Sequence, residues 1–213
     1  MQQRNDLEAS VGANVSRETL DALVDYSENL IKWSGKINLI APSTMAELWT
    51  RHICDSAQVL RLAPDGPVQW ADLGSGGGLP GIVVAILLKD ASPGARTQLI
   101  ESDKRKAAFL KLMIDRHALN ANVVVERIEK APSAKADIVT ARALAPLDLL
   151  LTYVAQHMQP MGTALLFKGR NFQAELDQAS LAWQFNVEVE TSRVDPESRV
   201  LRLSRLRKRE IAG

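Results

Sequence analysis

Between Trp70 and Gly81 the chain reads Trp-Ala-Asp-Leu-Gly-Ser-Gly-Gly-Gly-Leu-Pro-Gly, and residues without a Cβ gather nowhere else so densely. Such a stretch lets something approach the backbone closely. The apolar run 68–73 before it suits a short buried strand; Ile82, Val83, Val84, Ile86 and Leu87 after it suit a helix covered by other elements. Pro80 then falls in the first helical turn, where its missing N–H costs nothing. Strand, glycine turn and helix N-terminus together present free amides and a favourable dipole to a nucleotide-like ligand. The alternative is a glycine-rich turn that binds nothing, because a glycine motif alone has false positives.

Two ligands compete for the turn. Gly76, Gly78 and Gly81 fit the G-x-G-x-x-G of dinucleotide-binding proteins, while Asp72, Gly74, Gly76 and Gly78 fit the D-x-G-x-G-x-G of methyltransferases that use S-adenosylmethionine. Asp72 favours the second, since a pyrophosphate cradle has no need of a carboxylate and a cationic methionine portion can use one. Glu101, roughly 20 residues after the turn, stands where an acidic side chain accepts hydrogen bonds from ribose hydroxyls. It supports an adenosine-containing ligand without separating the two. Ile128 and Glu129 follow the third predicted strand on the same sheet edge, where an apolar side chain can cover an adenine face and a neighbouring polar group can read its edge.

The elements that must position these residues follow from periodicity. The first dozen residues are polar, and a loose start is expected. Ser16 caps a helix with the apolar stripe Leu20, Leu23, Val24, Leu30 and Ile31, ended by Trp33, Ser34 and Gly35. Thr44 and Glu47 have capping-box spacing and open a second helix carrying Met45, Leu48, Trp49, Ile53, Ala57 and Leu60 inward. The loop 63–67 bounds an N-terminal helical cap, 1–66, from a Rossmann-like domain, 67–213. From there strands at 68–73, 97–100, 123–125, 137–140 and 163–167 alternate with helices, among them one capped by Ser102 or Asp103 and others at 146–158 and 172–183. Phe185, Val187 and Val189, then Val200, Leu201 and Leu203, give two strands with no helix between them, which pair antiparallel. The expected fold class is α/β: a Rossmann-like, mostly parallel sheet ending in an antiparallel hairpin, as in class I S-adenosylmethionine-dependent methyltransferases, with an N-terminal helical cap.

Composition narrows the setting. In 213 residues with 46% hydrophobic content there is room for one substantial core, or a main domain with a small extension. A formal charge of +1 gives no global field for nucleic acid, so such a partner must be met by a local patch. The single cysteine, Cys54, excludes an intrachain disulfide and offers no metal-ligand cluster. No apolar run reaches membrane-spanning length and the polar start lacks a signal-peptide core. A cytoplasmic protein with no membrane and no metal is expected.

Asn38-Leu39, Arg51-His52-Ile53-Cys54-Asp55-Ser56, the glycine stretch through Leu79-Pro80-Gly81, Glu101 with Lys104-Arg105, Ala141-Arg142-Ala143 and Lys168-Gly169 stand together in this chain. In that combination it resembles the glucose-inhibited division protein B family, also called ribosomal small-subunit methyltransferase G, over about residues 30–205. The resemblance implies methyl transfer from S-adenosylmethionine to N7 of one guanine in 16S ribosomal RNA of the small subunit, by an enzyme expected to be monomeric. Carried over by motif, Gly74, Leu79, Ile128, Glu129 and Arg142 bind the cofactor. Gly77 stands where the family often has proline and Ala141 where it often has serine, which weakens any role for a hydroxyl there.

Guanine N7 has an in-plane lone pair and no proton, so the reaction calls for alignment and electrostatics and no acid-base dyad. Arg142 and Lys168 are candidate anchors for a methionine carboxylate, the guanine O6 or a phosphate. Spacing makes Arg51 with Asp55 an intrahelical ion pair and His52 with Ser56 a hydrogen bond. The resemblance instead assigns the four to positioning and RNA contact. Lys104, Arg105, Lys106, Arg205, Arg207, Lys208 and Arg209 are candidate phosphate contacts, against the plainer reading as solvated charge. Two other functions stay open: a nicotinamide oxidoreductase, and a non-catalytic RNA-binding or division-associated module.

Overall fold

The computed structural model describes every residue except 65, 67 and 211–213. Seven strands form one sheet: β1 Gln69–Leu73, β2 Arg96–Ile100, β3 Ala121–Val124, β4 Ala136–Arg142, β5 Met158–Lys168, β6 Trp183–Thr191 and β7 Arg199–Lys208. Their order is β3-β2-β1-β4-β5-β7-β6. The first five run parallel, and β7 pairs antiparallel with both β5 and β6. Strands β1 and β4 are buried along nearly their whole length because helices cover both of their faces. Between β1 and β4 the order reverses, and a crevice opens beyond the carboxyl ends of these strands.

Helices α4 Gly81–Ala91 and α5 Lys104–Arg116 lie on one face; α6 Leu147–His157 and α7 Phe172–Ala182 lie on the other. Eight successive residues of α4, from Gly81 to Leu88, are buried, and each fully buried aliphatic side chain among them contributes about 1.5–3 kcal/mol. Asp103 caps α5, its Oδ1 accepting from the amides of Arg105 and Lys106 at 2.8 and 3.2 Å.

The N-terminal region departs from expectation in three places. The polar start is a helix, α1 Gln2–Val11, closed by Gly12 at φ 78 and anchored by Leu7, which is wholly buried. One apolar side chain placed in a pre-existing core outweighs a polar sequence. Helix α2 Arg17–Ile37 does start at Ser16, whose hydroxyl accepts from the Thr19 amide at 3.1 Å, but it runs through Trp33-Ser34-Gly35 to Asn38. Ser34 is kept helical by donating to the Leu30 carbonyl at 2.7 Å, and Trp33 packs on Phe109. Its buried face is Thr19, Leu23, Tyr26, Ser27, Leu30 and Ser34, with Ile31 exposed. The predicted second helix is instead a series of tighter and wider turns: 3₁₀ at Pro42–Glu47, a π-helical turn at Trp49–Cys54, the short α3 Asp55–Ala57, and 3₁₀ again at Gln58–Leu62. The Thr44 hydroxyl turns back to the Ala41 carbonyl at 2.9 Å, so the capping box does not form. Helices α1 and α2 and these turns share one apolar cluster with α4 and α5. Of the predicted boundary loop, residues 65 and 67 lie outside the described residues.

Candidate active site

Strand β1 delivers the chain into the glycine turn, where Gly74, Gly76 and Gly78 have φ of 65, 55 and 92°. L-residues with a Cβ rarely adopt such values. The turn is tied to β2 by the Gly74 and Ser75 amides, which donate to the Ile100 carbonyl at 2.9 and 3.1 Å. Its glycines serve different ends. A Cβ on Gly78 would lie 2.5 Å from Ile82 Cγ1, and one on Gly81 would collide with Leu99 and come within 2.6 Å of Asp72 Oδ2, so these two let α4 seat against the sheet. A Cβ on Gly76 would find no protein atom nearer than the Gly74 carbonyl oxygen at 3.8 Å. The space there is kept open toward the crevice.

That crevice is a cleft of about 580 Å3. Its floor is Gly74, Gly76 and Glu101; its sides are Ile128, Glu129, Lys106 and the 143–145 segment. Of the nine cofactor-binding residues expected from sequence, Gly74, Gly76, Glu101, Ile128 and Glu129 line it. Glu101 is 8% exposed, and its two oxygens accept from the amides of Gly76 at 2.8 Å and Asp103 at 2.7 Å. The carboxylate is thus held at the cleft with lone pairs to spare.

Asp72, Gly78 and Leu79 stand behind the cleft wall. Asp72 is 1% exposed; its Oδ1 accepts from the Thr140 hydroxyl at 2.8 Å and its Oδ2 from the Gly81 amide at 3.2 Å. It braces the turn and the start of α4, and burial pushes its carboxyl up to about 6. Leu79 packs into the cluster beneath α2. The sequence reading missed Leu144, Leu149 and Tyr153, which wall the cleft from the α6 side. Leu149 and Tyr153 are spaced i, i+4 outside the buried stripe of Leu147, Leu150, Leu151 and Val154. A pair of large side chains on the solvent side of a helix was the available signal.

Arg142, at the end of β4, reaches the N-terminal region. Its Nη1 donates to Asp55 Oδ2 at 3.2 Å and the Arg51 carbonyl at 3.4 Å, and its Nη2 donates to His52 Nδ1 at 2.6 Å. A guanidinium only donates, so His52 Nδ1 must be the acceptor and Nε2 carries the proton, directed at Thr44 Oγ1 2.7 Å away. Burial and the charges of Arg142 and Arg51 bring His52 down to about 4. Asp55 also receives the Ser192 hydroxyl at 2.9 Å and the Gln58 amide at 2.7 Å; burial, outweighing Arg142, holds its carboxyl above the usual range. Arg51 pairs with Glu47, not with Asp55, and the buried Ser56 hydroxyl has no partner among the described residues. The helical spacing argument fails here because the segment is a π-turn.

The His52 arrangement carries a stability consequence. With the folded value near 4 and the unfolded value near 6.5, the unfolded chain binds more protons between them, so this contribution is intact above pH 6.5 and is lost as pH falls toward 4. Urea unfolding of wild type and His52→Gln across pH 4–7 should show the wild type losing on the order of 1–2 kcal/mol relative to the variant, a solvent-discounted figure. Parallel profiles would refute the neutral, acceptor role of His52.

Other expected residues are dispersed. Lys168, at the end of β5, is committed to Glu175 Oε2 at 2.7 Å and the Ala145 carbonyl at 2.8 Å. Lys104 and Arg105 are exposed on the first turn of α5, and Lys106 borders the cleft. Arg207 lies apart from these. Strand β7 runs opposite to β5, with Arg199 beside Lys168 and Ser204 beside Thr163, so Arg205, Arg207 and Lys208 lie at the far end of the sheet from the cleft.

A parallel sheet that reverses between β1 and β4 and is finished by β7 inserted between β5 and β6 is that of the class I S-adenosylmethionine-dependent methyltransferases. A TehB-like SAM-dependent methyltransferase from Corynebacterium glutamicum superposes with a TM-score of 0.57, covering 84% of this chain and 98% of its own at 15% identity. A SAM-dependent methyltransferase from Aquifex aeolicus does so with a TM-score of 0.58, covering 83% and 97% at 12% identity. The family model of rRNA small subunit methyltransferase G matches residues 19–200. Ribosomal RNA small subunit methyltransferase G of Ruegeria sp. (strain TM1040) is 45% identical over 93% of this chain and 97% of its own, and that of Paracoccus denitrificans (strain Pd 1222) 46% identical over 91% and 98%. The chain belongs to the rRNA small subunit methyltransferase G family.

Proposed function

We propose that this chain transfers the methyl group of S-adenosylmethionine to N7 of a guanine in 16S ribosomal RNA of the small subunit. Family membership supports the reaction, and the observation that carries the site is the cleft where the open face of Gly76 meets Glu101. The residues fit the cofactor: a cradle that a Cβ would fill, a fixed carboxylate where ribose hydroxyls need an acceptor, and apolar Ile128 and Leu149 for an adenine. The bound cofactor supplies a sulfonium-activated methyl group. Glu101 orients the ribose, and the glycine turn sets the depth at which the ligand sits. Arg142 acts as a positioning residue, joining the end of β4 to the turn that holds His52 and Asp55. No side chain is asked to remove a proton, because N7 has none. A neutral His52 whose Nδ1 is already engaged suits such a reaction.

Residues 1–66 serve in this reading as a cap on the methyltransferase domain 67–213. In this reading the chain acts as a monomer in the cytoplasm, the compartment of its ribosomal substrate. Among the described residues no helix is long and apolar enough to cross a membrane, and no group of His, Cys, Asp and Glu is arranged to hold a metal. Incubation with labelled S-adenosylmethionine and small subunits lacking the modification, followed by mapping of the methylated base, tests the function. Label on an amino group or on no base refutes it.

The basic residues divide by position. Charge reversal at Lys104, Arg105 and Lys106, beside the cleft, should raise KM for the subunit several-fold and reduce the salt slope by roughly one for each phosphate no longer neutralised. The same change at Arg207, at the far end of β7, should leave both unaltered. Equal effects at the two ends, read from KM against salt concentration, would remove the assignment of RNA to the cleft edge.

A further inference from the structure

A second cavity, of about 360 Å3, adjoins the cleft and shares Ala143, Leu144 and Ala145 with it. It lies beyond the ends of β4 and β5, walled by Leu150 and Phe167, with Lys168 and Glu175 as its polar groups. Its rim is made of small exposed residues, Ala143 and Gly169, and a Cβ on Gly169 would meet nothing within 4 Å. Ala143 has φ 52, a left-handed conformation that a residue with a Cβ adopts at a cost, and such strain concentrates where a ligand is held. The volume and lining suit one planar base with a polar edge.

The polar group is unusual. Glu175 rises from the first turn of α7, and one oxygen, Oε2, accepts both the Leu147 amide at 2.8 Å and the Lys168 ammonium at 2.7 Å. Those two donors fix the carboxylate, while among the described residues Oε1 has no hydrogen-bond donor. The side chain is 29% exposed and lines the cavity. Guanine presents two donors side by side on its Watson–Crick edge, the N1–H and the 2-amino group; adenine and cytosine present a ring lone pair there, which a carboxylate repels. Resting on the guanine-methylating reading above, we infer that Glu175 is the residue that reads the target base as guanine, accepting from its N1–H and 2-amino group. The opposite, N7-bearing edge of the base then points away from Glu175, toward the neighbouring cofactor cleft.

The test uses the full chain, labelled S-adenosylmethionine and small subunits reconstituted with guanosine or inosine at the target position, inosine lacking only the 2-amino group. Wild type should methylate the guanosine subunit with kcat/KM about ten- to a hundredfold above the inosine subunit, the range expected for one hydrogen bond to a charged acceptor. Glu175→Gln, which keeps an oxygen for Lys168 and Leu147, should lose activity on guanosine and bring that ratio to within about threefold, with cofactor affinity unchanged. Equal wild-type rates on the two subunits overturn the proposal whether or not any variant folds. So does a Glu175→Gln enzyme that loses activity equally on both. If Glu175→Gln does not fold, Glu175→Asp, which keeps the charge and withdraws it, must also narrow the ratio; an unchanged ratio overturns the proposal. Absence of N7 methylation on the guanosine subunit by wild type is a different result, and it removes the underlying functional reading instead.

Discussion

Gly76→Val abolishes S-adenosylmethionine binding while the protein remains folded: this is the expected outcome of calorimetric titration paired with thermal melting. The added side chain would fill the open face of the turn, where no protein atom lies within 3.8 Å, so its steric conflict is with the ligand. Its backbone at φ 55 adds a folding cost of about 1–3 kcal/mol, tolerable in a sheet-and-helix core of this size. Affinity should fall by more than about 100-fold, because the lost space cannot be recovered by a rotamer change on a valine. Gly78→Val supplies the contrast. There the Cβ would strike Ile82 and press on Leu110, so stability should fall first and binding only through it. A folded Gly76→Val protein with unaltered affinity would remove the ligand from this turn.

The second large effect is expected at Arg142. In single turnover, Arg142→Ala should slow methyl transfer by about 10²-fold or more, since misplacing a reacting atom by an ångström has that consequence. The same change leaves Asp55 buried without its cation, at a cost of about 3 kcal/mol, so the rate must be taken on protein shown to be folded. His52→Gln should stay within about tenfold of wild type, with no change in the pH dependence of the transfer step. A steep pH profile abolished by His52→Gln, beside a nearly normal Arg142→Ala enzyme, would overturn the alignment account and indicate an acceptor that carries a proton.

The sheet was legible because its strands are short apolar runs separated by helical periodicity, and the final hairpin because Val194 to Ser198 leaves no room for a crossover. Glu101 and Gly76 were legible for a related reason: both sit at a strand end, where position in the chain nearly fixes position in space. The cap region was not. The turns from Pro42 to Leu62 are dictated by what lies beneath them, including Ile53 and Ala57 against α4, and no local period encodes a π-turn. The distance of Arg207 from the cleft was not legible, since charge clusters are visible in a sequence and strand direction in the assembled sheet is not. Asp72 shows a subtler limit: its place near the end of β1 was legible, but only the structure shows that its oxygens are spent on Thr140 and Gly81.

The Tyr26 hydroxyl donates to the Gly77 carbonyl at 2.7 Å, and a Cβ on Gly77 would come within 3.0 Å of Leu30 Cδ1 and 3.2 Å of the Leu39 carbonyl. The glycine turn therefore has α2 as its backing, and with Tyr26 fully buried the two have little room to loosen separately. In the language of hydrogen exchange, the amides of α2 and those of residues 74–81 should open as one unit. A ligand in the cleft should then be felt some fifty residues earlier in the chain, as slowed exchange in a helix that does not line the cleft.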